Sequence, residues 1–312
     1  MTLGPPMRWN RVLALDHLTL LDVAPPDFAV LAAGAGFDAV GLRIAPATAA
    51  ESRWPMSPGS RMLEETVRRC RDSGVTVLGT EAIRLTAEAD VAAAEPVLET
   101  AARLNARYVN AIGDDPDLER LSDRFGRLAA MAASYGIRAV IEFMAYKTVR
   151  TLDDALAVAA RSGGGGVLLD ALHLQRCGAD IGQIARMEPG LLGYLQLCDA
   201  PLEPPGGDPA AEARTGRLLP GDGELPLTAL LSAVPPGTPV AIEAPSLSLR
   251  GELTPAQFAA RARRSLDRVL ARWQGRPGRG EGWTGRGEDW TGRGEGWPGR
   301  GEGRGGDNDV AD

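Results

Sequence analysis

The chain has 312 residues, of which 44% are hydrophobic and 24% are charged, and this composition is ordinary for a globular protein with a buried core. A formal net charge of −7 argues against a nucleic-acid-binding protein, since such proteins normally carry a clustered basic face. The three cysteines form no C-x-x-C pair, and we find neither a signal peptide nor an apolar run long enough to span a membrane, so we predict a cytoplasmic protein.

Eight short apolar runs alternate along the chain with longer amphipathic segments. The runs are RVLALD (11–16), FDAVGLR (37–43), VTVLGTE (75–81), RYVNAI (107–112), RAVIEF (138–143), GVLLDA (166–171), LGYLQLCD (192–199) and PVAIEA (239–244). Runs without polar alternation are typical of parallel strands that are buried on both faces. Eight strand–helix units in about 270 residues predict a (β/α)8 TIM barrel. A doubly wound open sheet is the alternative, but no G-x-G-x-x-G follows the first strand.

The composition changes abruptly near residue 275, where GRGEGWT, GRGEDWT and GRGEGWP follow one another. This segment contains almost no aliphatic residues and cannot bury a core of its own. We therefore predict a catalytic TIM-barrel domain at 1–274 and a disordered low-complexity tail at 275–312.

Polar side chains stand at the carboxyl ends of the last four predicted strands, where TIM barrels build their active sites. They are Glu142, Asp170, Gln196 and Glu243. Taken singly, each could reach solvent or cap the next helix. Three carboxylates that converge on one barrel mouth repel one another unless a cation lies between them, so we predict a divalent metal site. If Gln196 binds through its carbonyl oxygen, all four donors are oxygens, which favour Mn²⁺ or Mg²⁺ over Zn²⁺.

These motifs resemble the xylose-isomerase-like TIM-barrel superfamily of sugar isomerases, epimerases and related lyases. There the metal is held by acidic residues of strands five, six and eight and by a His or Gln of strand seven, with D-x-x-H in strand six. The matching stretches here are VIEF with Glu142, DALH with Asp170 and His173, LQLCD with Gln196, and AIEA with Glu243. In having glutamine at the strand-seven ligand position, this chain resembles hydroxypyruvate isomerase and the bacterial 3-dehydroshikimate dehydratases. Sugar epimerases usually have histidine at that position. The related apurinic endonucleases bind clusters of three zinc ions, and nothing in a chain with only two histidines resembles such a cluster, so we do not expect nuclease activity.

The resemblance implies proton abstraction next to a carbonyl, with Glu142 and Glu243 exchanging protons on opposite faces of the substrate. The expected reaction is isomerisation or epimerisation of a sugar or another small hydroxy-carbonyl compound. If His173 protonates a departing hydroxyl, the enzyme is instead a dehydratase; otherwise His173 orders Asp170 or caps a helix. A barrel that binds a metal or ligand without catalysis is the third interpretation.

Five further residues are predicted to bind the substrate at the barrel rim. His17, Arg43 and Glu81 follow strands one to three, and Arg214 and Arg217 lie in RTGRLLPGDGEL, which resembles the strand-seven loop that closes over substrates of the superfamily. A packed loop position for His17 and solvated surface arginines are the alternatives. The predicted partner is a small molecule, neither a nucleic acid nor a membrane, and since barrels of this superfamily often pair, the resemblance allows a homodimer.

Overall fold

The computed structural model describes residues 9–48, 51 and 53–274, so the tail predicted at 275–312 lies outside the described residues and stays a prediction. Eight parallel strands close into a barrel in chain order. They are β1 Leu13–Asp16, β2 Ala39–Arg43, β3 Thr76–Thr86, β4 Tyr108–Asp114, β5 Arg138–Glu142, β6 Gly166–Asp170, β7 Leu192–Leu197 and β8 Val240–Ile242. The predicted (β/α)8 TIM barrel is therefore confirmed, and the open-sheet alternative is excluded.

Helices connect the strands on the outside of the barrel. They are α1 Pro25–Ala35, α2 Arg61–Ser73, α3 Glu95–Arg103, α4 Leu118–Ser134, α5 Leu152–Arg161, α6 Ala171–Arg176, α7 Ile181–Ala185, α8 Pro209–Thr215, α9 Leu227–Ala233, α10 Leu247–Glu252 and α11 Pro255–Gln274. Local sequence sets several of their ends: Thr151 and Asp154 form a capping box at the start of α5, and Gly74 takes a left-handed conformation after α2. None of the described helices is long and apolar enough to cross a membrane.

The barrel interior contains one apolar layer to which every strand contributes a side chain. The layer consists of Ala14, Ala39, Leu78, Tyr108, Val140, Leu168, Tyr194 and Ala241, all of them buried. The two large members, Tyr108 and Tyr194, fill the centre with ring centroids 5.3 Å apart. Because side chains alternate along a strand, the residues two positions later point into the same interior, one level closer to the carboxyl ends.

That next level is polar. Counting two residues on from each member of the apolar layer gives Asp16, Gly41, Thr80, Asn110, Glu142, Asp170, Gln196 and Glu243. We call this set the polar layer. The fold thus places the predicted metal ligands directly above a packed plug of side chains, which closes the barrel below them.

Candidate active site

Five carboxylates meet at the carboxyl end of the barrel, and all are nearly inaccessible to solvent. Four belong to the polar layer, and Glu81 joins them from β3, where the register with β4 shifts between Thr80 and Ile83. Their exposed fractions lie between 0% and 5%: Asp16 0%, Glu81 2%, Glu142 5%, Asp170 0% and Glu243 3%. Burying this many ionised groups is costly unless cations or protons compensate them.

The acidic side chains form two neighbouring groups that could each hold a metal ion. Glu142, Asp170 and His173 make up one group, and Asp16, Glu81 and Glu243 make up the other; within each, the potential ligand atoms lie within 4.8 Å of one another. The four predicted ligands are therefore divided between the two groups, with Gln196 beside the second.

Gln196 donates hydrogen bonds from its amide nitrogen to three carboxylates. Its Nε2 lies 2.7 Å from Asp16 Oδ2, 3.2 Å from Glu243 Oε1 and 3.4 Å from Glu81 Oε1. Its Oε1 is buried and has no hydrogen-bond partner. In this orientation the nitrogen, not the oxygen that would bind a metal, faces the carboxylates. A cation among the carboxylates would favour the amide turned by half a rotation, with Oε1 facing the ion.

Arg217 lies among the five buried carboxylates, although its sequence position suggested a lid. Its Nη1 is 2.5 Å from Asp170 Oδ2 and its Nη2 is 3.1 Å from Glu243 Oε2. The loop after β7 brings it there by folding back across the barrel, with Gly216 paired to Ser246. Burial acts to lower the pKa of Arg217, but the charge of Asp170 more than offsets this effect and the pKa is raised.

The pKa values of the carboxyl groups show where the charge is compensated and where it is not. Burial acts to raise the pKa of Asp170, but Arg217 and His173 outweigh it and the pKa is lowered. Burial, followed by repulsion from Asp170, raises the pKa of Glu142 to about 8. The pKa values of Asp16 and Glu243 are raised as well, again chiefly by burial.

His173 follows Asp170 at the start of α6, and its ring enters the site. Its backbone N–H donates to Asp170 Oδ1 at 3.0 Å, so Asp170 caps this helix. The ring Nε2 lies 3.7 Å from Glu142 Oε1, and the ring packs edge-on against Tyr146. Burial lowers the pKa of His173 to about 4, so at neutral pH the ring is uncharged and can donate one N–H.

The remaining predicted rim residues lie in different surroundings. Both ring nitrogens of His17 contact backbone groups, Nε2 facing Val23 O at 2.8 Å and Nδ1 facing Arg43 N at 3.3 Å, and the ring packs on Phe28. His17 does not line the cavity, and its surroundings agree with the packed loop position, which was the alternative to a substrate-binding role. Arg43 lines the cavity, but its guanidinium is paired with Glu81. Glu81 itself does not line the cavity.

Arg214, by contrast, is exposed at the mouth of the cavity. It forms no hydrogen bond or ion pair within the described ranges.

A cavity of about 150 Å³ opens above this ensemble. Glu142, His173 and Glu243 line its floor together with Arg217, whereas Asp16, Asp170 and Gln196 lie below the cavity surface. The two predicted proton-transfer carboxylates thus face the cavity.

Sequence reasoning missed two members of the site. Asp16 ends β1 in RVLALD just as Asp170 ends β6 in GVLLD, and that shared pattern could have revealed it. Asn110 lies within RYVNAI, and its Nδ2 donates to Glu142 Oε2 at 2.7 Å. No feature of the local sequence marks Asn110 out.

The residues fit a divalent cation. The donors are mainly hard carboxylate oxygens, and among the described residues only Arg43 and Arg217 are cations in contact with the five carboxylates. Four buried polar atoms without a hydrogen-bond partner also belong to the polar layer: Asp16 Oδ1, Thr80 Oγ1, Asn110 Oδ1 and Gln196 Oε1. Such a concentration of unsatisfied atoms is unusual in a protein interior and indicates a layer built to contact something besides its own side chains.

Comparison with known proteins agrees with this fold. Residues 29–267 match a family model described as xylose isomerase-like TIM barrel. No curated protein matches the chain.

Solved structures with the same architecture come from several proteins. A xylose isomerase-like TIM barrel/4-hydroxyphenylpyruvate dioxygenase fusion protein is 20% identical with a TM-score of 0.71, and the match covers 84% of this chain and 43% of that one. The IolI protein, solved with a bound zinc atom, is 18% identical with a TM-score of 0.70 over 84% of this chain and 99% of that one.

The probable 3-DHS dehydratase AsbF from Bacillus anthracis is 13% identical with a TM-score of 0.64, and the match covers 82% of this chain and 98% of that one. An L-ribulose 3-epimerase and a D-allulose 3-epimerase share the architecture as well. At these identities the likeness shows the fold alone.

Proposed function

We propose that this chain, which belongs to the xylose isomerase-like TIM barrel family, is a divalent-metal-dependent enzyme that isomerises or epimerises a small hydroxy-carbonyl compound. The observation that carries the proposal is the polar layer, in which Glu142 and Glu243 face one cavity while Asp170 lies beneath it. A pair of carboxylates at a carbonyl compound can remove a proton from one carbon and return it elsewhere.

Glu142, Asp170 and Glu243 would hold the metal, together with Gln196 through its Oε1, so the ion would draw its ligands from both groups of acidic side chains. When bound, the ion would stabilise the negative charge that develops on the substrate oxygen during proton removal. We propose Mn²⁺ or Mg²⁺ ahead of Zn²⁺ because these four donors are all oxygens, even though the IolI structure holds zinc. The imidazole of His173, which is grouped with Glu142 and Asp170, is the feature that would suit zinc.

Neighbouring side chains position Glu142 and Glu243 for proton transfer. β5 and β8 are separated by β6 and β7 in the closed barrel, so Glu142 and Glu243 approach the cavity from different sides. Asn110 fixes the carboxylate of Glu142, and Arg217 fixes that of Glu243. Each carboxylate therefore keeps one oxygen oriented by a neighbour, which is the preorganisation that proton transfer needs.

Dehydration is the second candidate, and the position of His173 favours it. Its uncharged ring lines the cavity and lies 3.7 Å from Glu142 Oε1. Ionised Glu142 would take a proton from the carbon and pass it to the departing hydroxyl, while the neutral His173 N–H donates a hydrogen bond to that hydroxyl, so one water leaves and Glu142 returns to its ionised form. The products separate the two reactions, since isomerisation leaves the mass unchanged and dehydration removes one water.

Solvent exchange tests the proposal directly. The full chain, loaded with Mn²⁺, is incubated in D₂O with keto sugars, hydroxypyruvate and 3-dehydroshikimate, and deuterium at substrate carbon is followed by NMR. We expect exchange with at least one substrate, and its loss in Glu243→Gln. Metal analysis of the wild type and Asp170→Ala runs in parallel. Exchange that survives Glu243→Gln would contradict the assignment of Glu243, and metal binding without any exchange would leave a non-catalytic barrel.

A further inference from the structure

The cavity has opposite charges at its two ends. Its floor carries Glu142 and Glu243, the latter paired with Arg217, whereas three further basic side chains, Arg84, Lys147 and Arg214, line the cavity nearer its mouth. We call these three residues the basic rim. A cavity of this kind orients a ligand that is itself charged at one end.

Two members of the basic rim share a single carboxylate. Lys147 Nζ lies 2.6 Å from Asp114 Oδ2, and Arg84 Nη2 lies 2.8 Å from the same oxygen. One negative charge thus faces two positive charges, and the pair retains a net positive charge beside the cavity. Asp114 also holds both side chains in place, so the charge is fixed in position.

Arg214 adds a further positive charge, and no carboxylate among the described residues pairs with it. It belongs to α8, lines the cavity, and contacts no carboxylate in the part of the chain that the structure describes. The deeper Arg43 differs from it, because Glu81 and Glu51 already occupy its guanidinium at 2.9 and 3.3 Å. A substrate anion would therefore meet Arg214 and Lys147 rather than Arg43.

An apolar wall separates the basic rim from the acidic floor. Ala82, Ile112 and Met144 pack together with Tyr146, and all four line the cavity. Such a wall suits a carbon skeleton with few hydroxyl groups, since a polyhydroxylated sugar would leave hydroxyls facing it without partners. The cavity of about 150 Å³ is the size of an interior void that accepts a benzene-sized molecule.

We propose that the basic rim is a carboxylate-binding subsite and that the substrate is a small hydroxy-oxo carboxylic acid. Its carboxylate is held by Lys147 and Arg214, with Arg84 supporting, while its hydroxyl and carbonyl groups reach the acidic floor. Arg214 offers paired N–H donors to the carboxylate and Lys147 adds a point charge. This inference rests on the proposed function, and it names the substrate class of the same site.

Matched ligand pairs test the subsite. Hydroxypyruvate and dihydroxyacetone differ by one carboxylate in place of a hydroxymethyl group, and 3-dehydroshikimate and its methyl ester differ by one charge. Their binding to the Mn²⁺-loaded full chain is measured by isothermal titration calorimetry, without requiring turnover. We expect at least one acid to bind at least tenfold more tightly than its neutral partner.

Substitutions in the basic rim complete the test. Lys147→Met and Arg214→Met should each weaken binding of the acid by about tenfold, the loss expected for one charge-assisted hydrogen bond, and change the neutral partner less than twofold. Lys147→Arg should retain binding within about threefold, because it keeps the charge. Arg127→Met, which removes an exposed arginine of α4 that does not line the cavity, is the matched control.

Three results would overturn the subsite: equal binding of acids and neutral partners, acid binding unchanged in both Met variants, or tighter rim-dependent binding of dihydroxyacetone phosphate than of either acid. The last result would show that the basic rim binds a phosphate group in preference to a carboxylate. Solvent exchange distinguishes this failure from that of the proposed function. Acid binding that depends on the basic rim but is not accompanied by solvent exchange would support the subsite and contradict the proposed reaction. Solvent exchange on neutral sugars that is unchanged in both Met variants would support the reaction and contradict the subsite.

Discussion

Arg217 is the residue whose replacement tests the electrostatics of the site most sharply. Its guanidinium contacts Asp170 Oδ2 at 2.5 Å and Glu243 Oε2 at 3.1 Å, and its Nε donates to Ala213 O at 2.7 Å. The side chain is only 2% exposed. Arg217→Met keeps most of the volume and removes the charge, so it leaves two buried carboxylates facing each other without a cation.

Breaking a buried ion pair by removing one partner typically costs about 3–5 kcal/mol, because the remaining charge stays buried and unpaired. We expect a loss of that size in the free energy of unfolding of metal-free Arg217→Met, measured by urea denaturation at pH 8. Arg68→Met is the control, since Arg68 pairs with Glu65 at 2.6 Å but is 49% exposed, and pairs at such positions contribute little.

Mn²⁺ should restore more stability to Arg217→Met than it adds to the wild type. In the wild type a divalent ion at Asp170 and Glu243 is repelled by the guanidinium, whereas in the variant it meets both carboxylates uncompensated. An ion at one hundred times its Kd adds about 2.7 kcal/mol to the free energy of unfolding, so a difference in affinity is readily measured. Two results would refute this reasoning: a metal-free variant within about 1 kcal/mol of the wild type, or an equal or smaller stabilisation by Mn²⁺.

Three further predictions follow from the polar layer. A Cβ at Gly41 would lie 1.9 Å from Asp16 Oδ1, so Gly41→Ala should lower the melting temperature and weaken Mn²⁺ binding. By contrast, a Cβ at Gly34 on α1 would meet no atom within 4 Å apart from its chain neighbours and the backbone of its own helix, so Gly34→Ala should raise the melting temperature slightly. The raised pKa of Glu142 means that the folded metal-free chain holds a proton that the unfolded chain releases above about 4.5; urea denaturation should show stability falling as the pH rises from 5 through 8, and Mn²⁺ saturation should abolish or reverse the fall. Glu142 and Val140 both belong to β5, and Glu142→Gln should stabilise the metal-free chain at pH 9 and abolish solvent exchange. Val140→Ala should lower the free energy of unfolding by about 2 kcal/mol irrespective of metal and pH. Equal pH profiles of stability for the two variants would contradict the division into an apolar and a polar layer.

The sequence predicted those features that depend on strand position. Eight apolar runs locate the strands, and because the carboxyl ends of parallel strands meet, the sequence alone predicts that Glu142, Asp170 and Glu243 lie close together. Asp16 follows the same rule, since it ends the first apolar run just as Asp170 ends the sixth.

Features that depend on contacts between distant segments could not be predicted. The amide direction of Gln196 is set by carboxylates from β1, β3 and the end of β8, and no local pattern encodes their approach. Arg217 lies among the buried carboxylates because the loop after β7 pairs Asp199 with Leu218 and folds inward, whereas the loop sequence alone predicts a lid or a solvated surface arginine. The position of His17 after β1 allows either a rim role or a packed loop, and only its contact with Phe28 distinguishes the two.

The separation of the acidic floor from the basic rim has a physical reason. If Arg214 or Lys147 reached Glu142 and Glu243, those cations would neutralise the carboxylates and compete with a metal, as Arg217 already does for Asp170. The apolar wall of Ala82, Ile112, Met144 and Tyr146 stands between them, and Asp114 holds Lys147 at the mouth. The acidic floor and the basic rim therefore line different parts of one cavity, and their side chains do not pair with each other among the described residues. A ligand that satisfies both must therefore carry metal-binding oxygens at one end and a negative charge at the other.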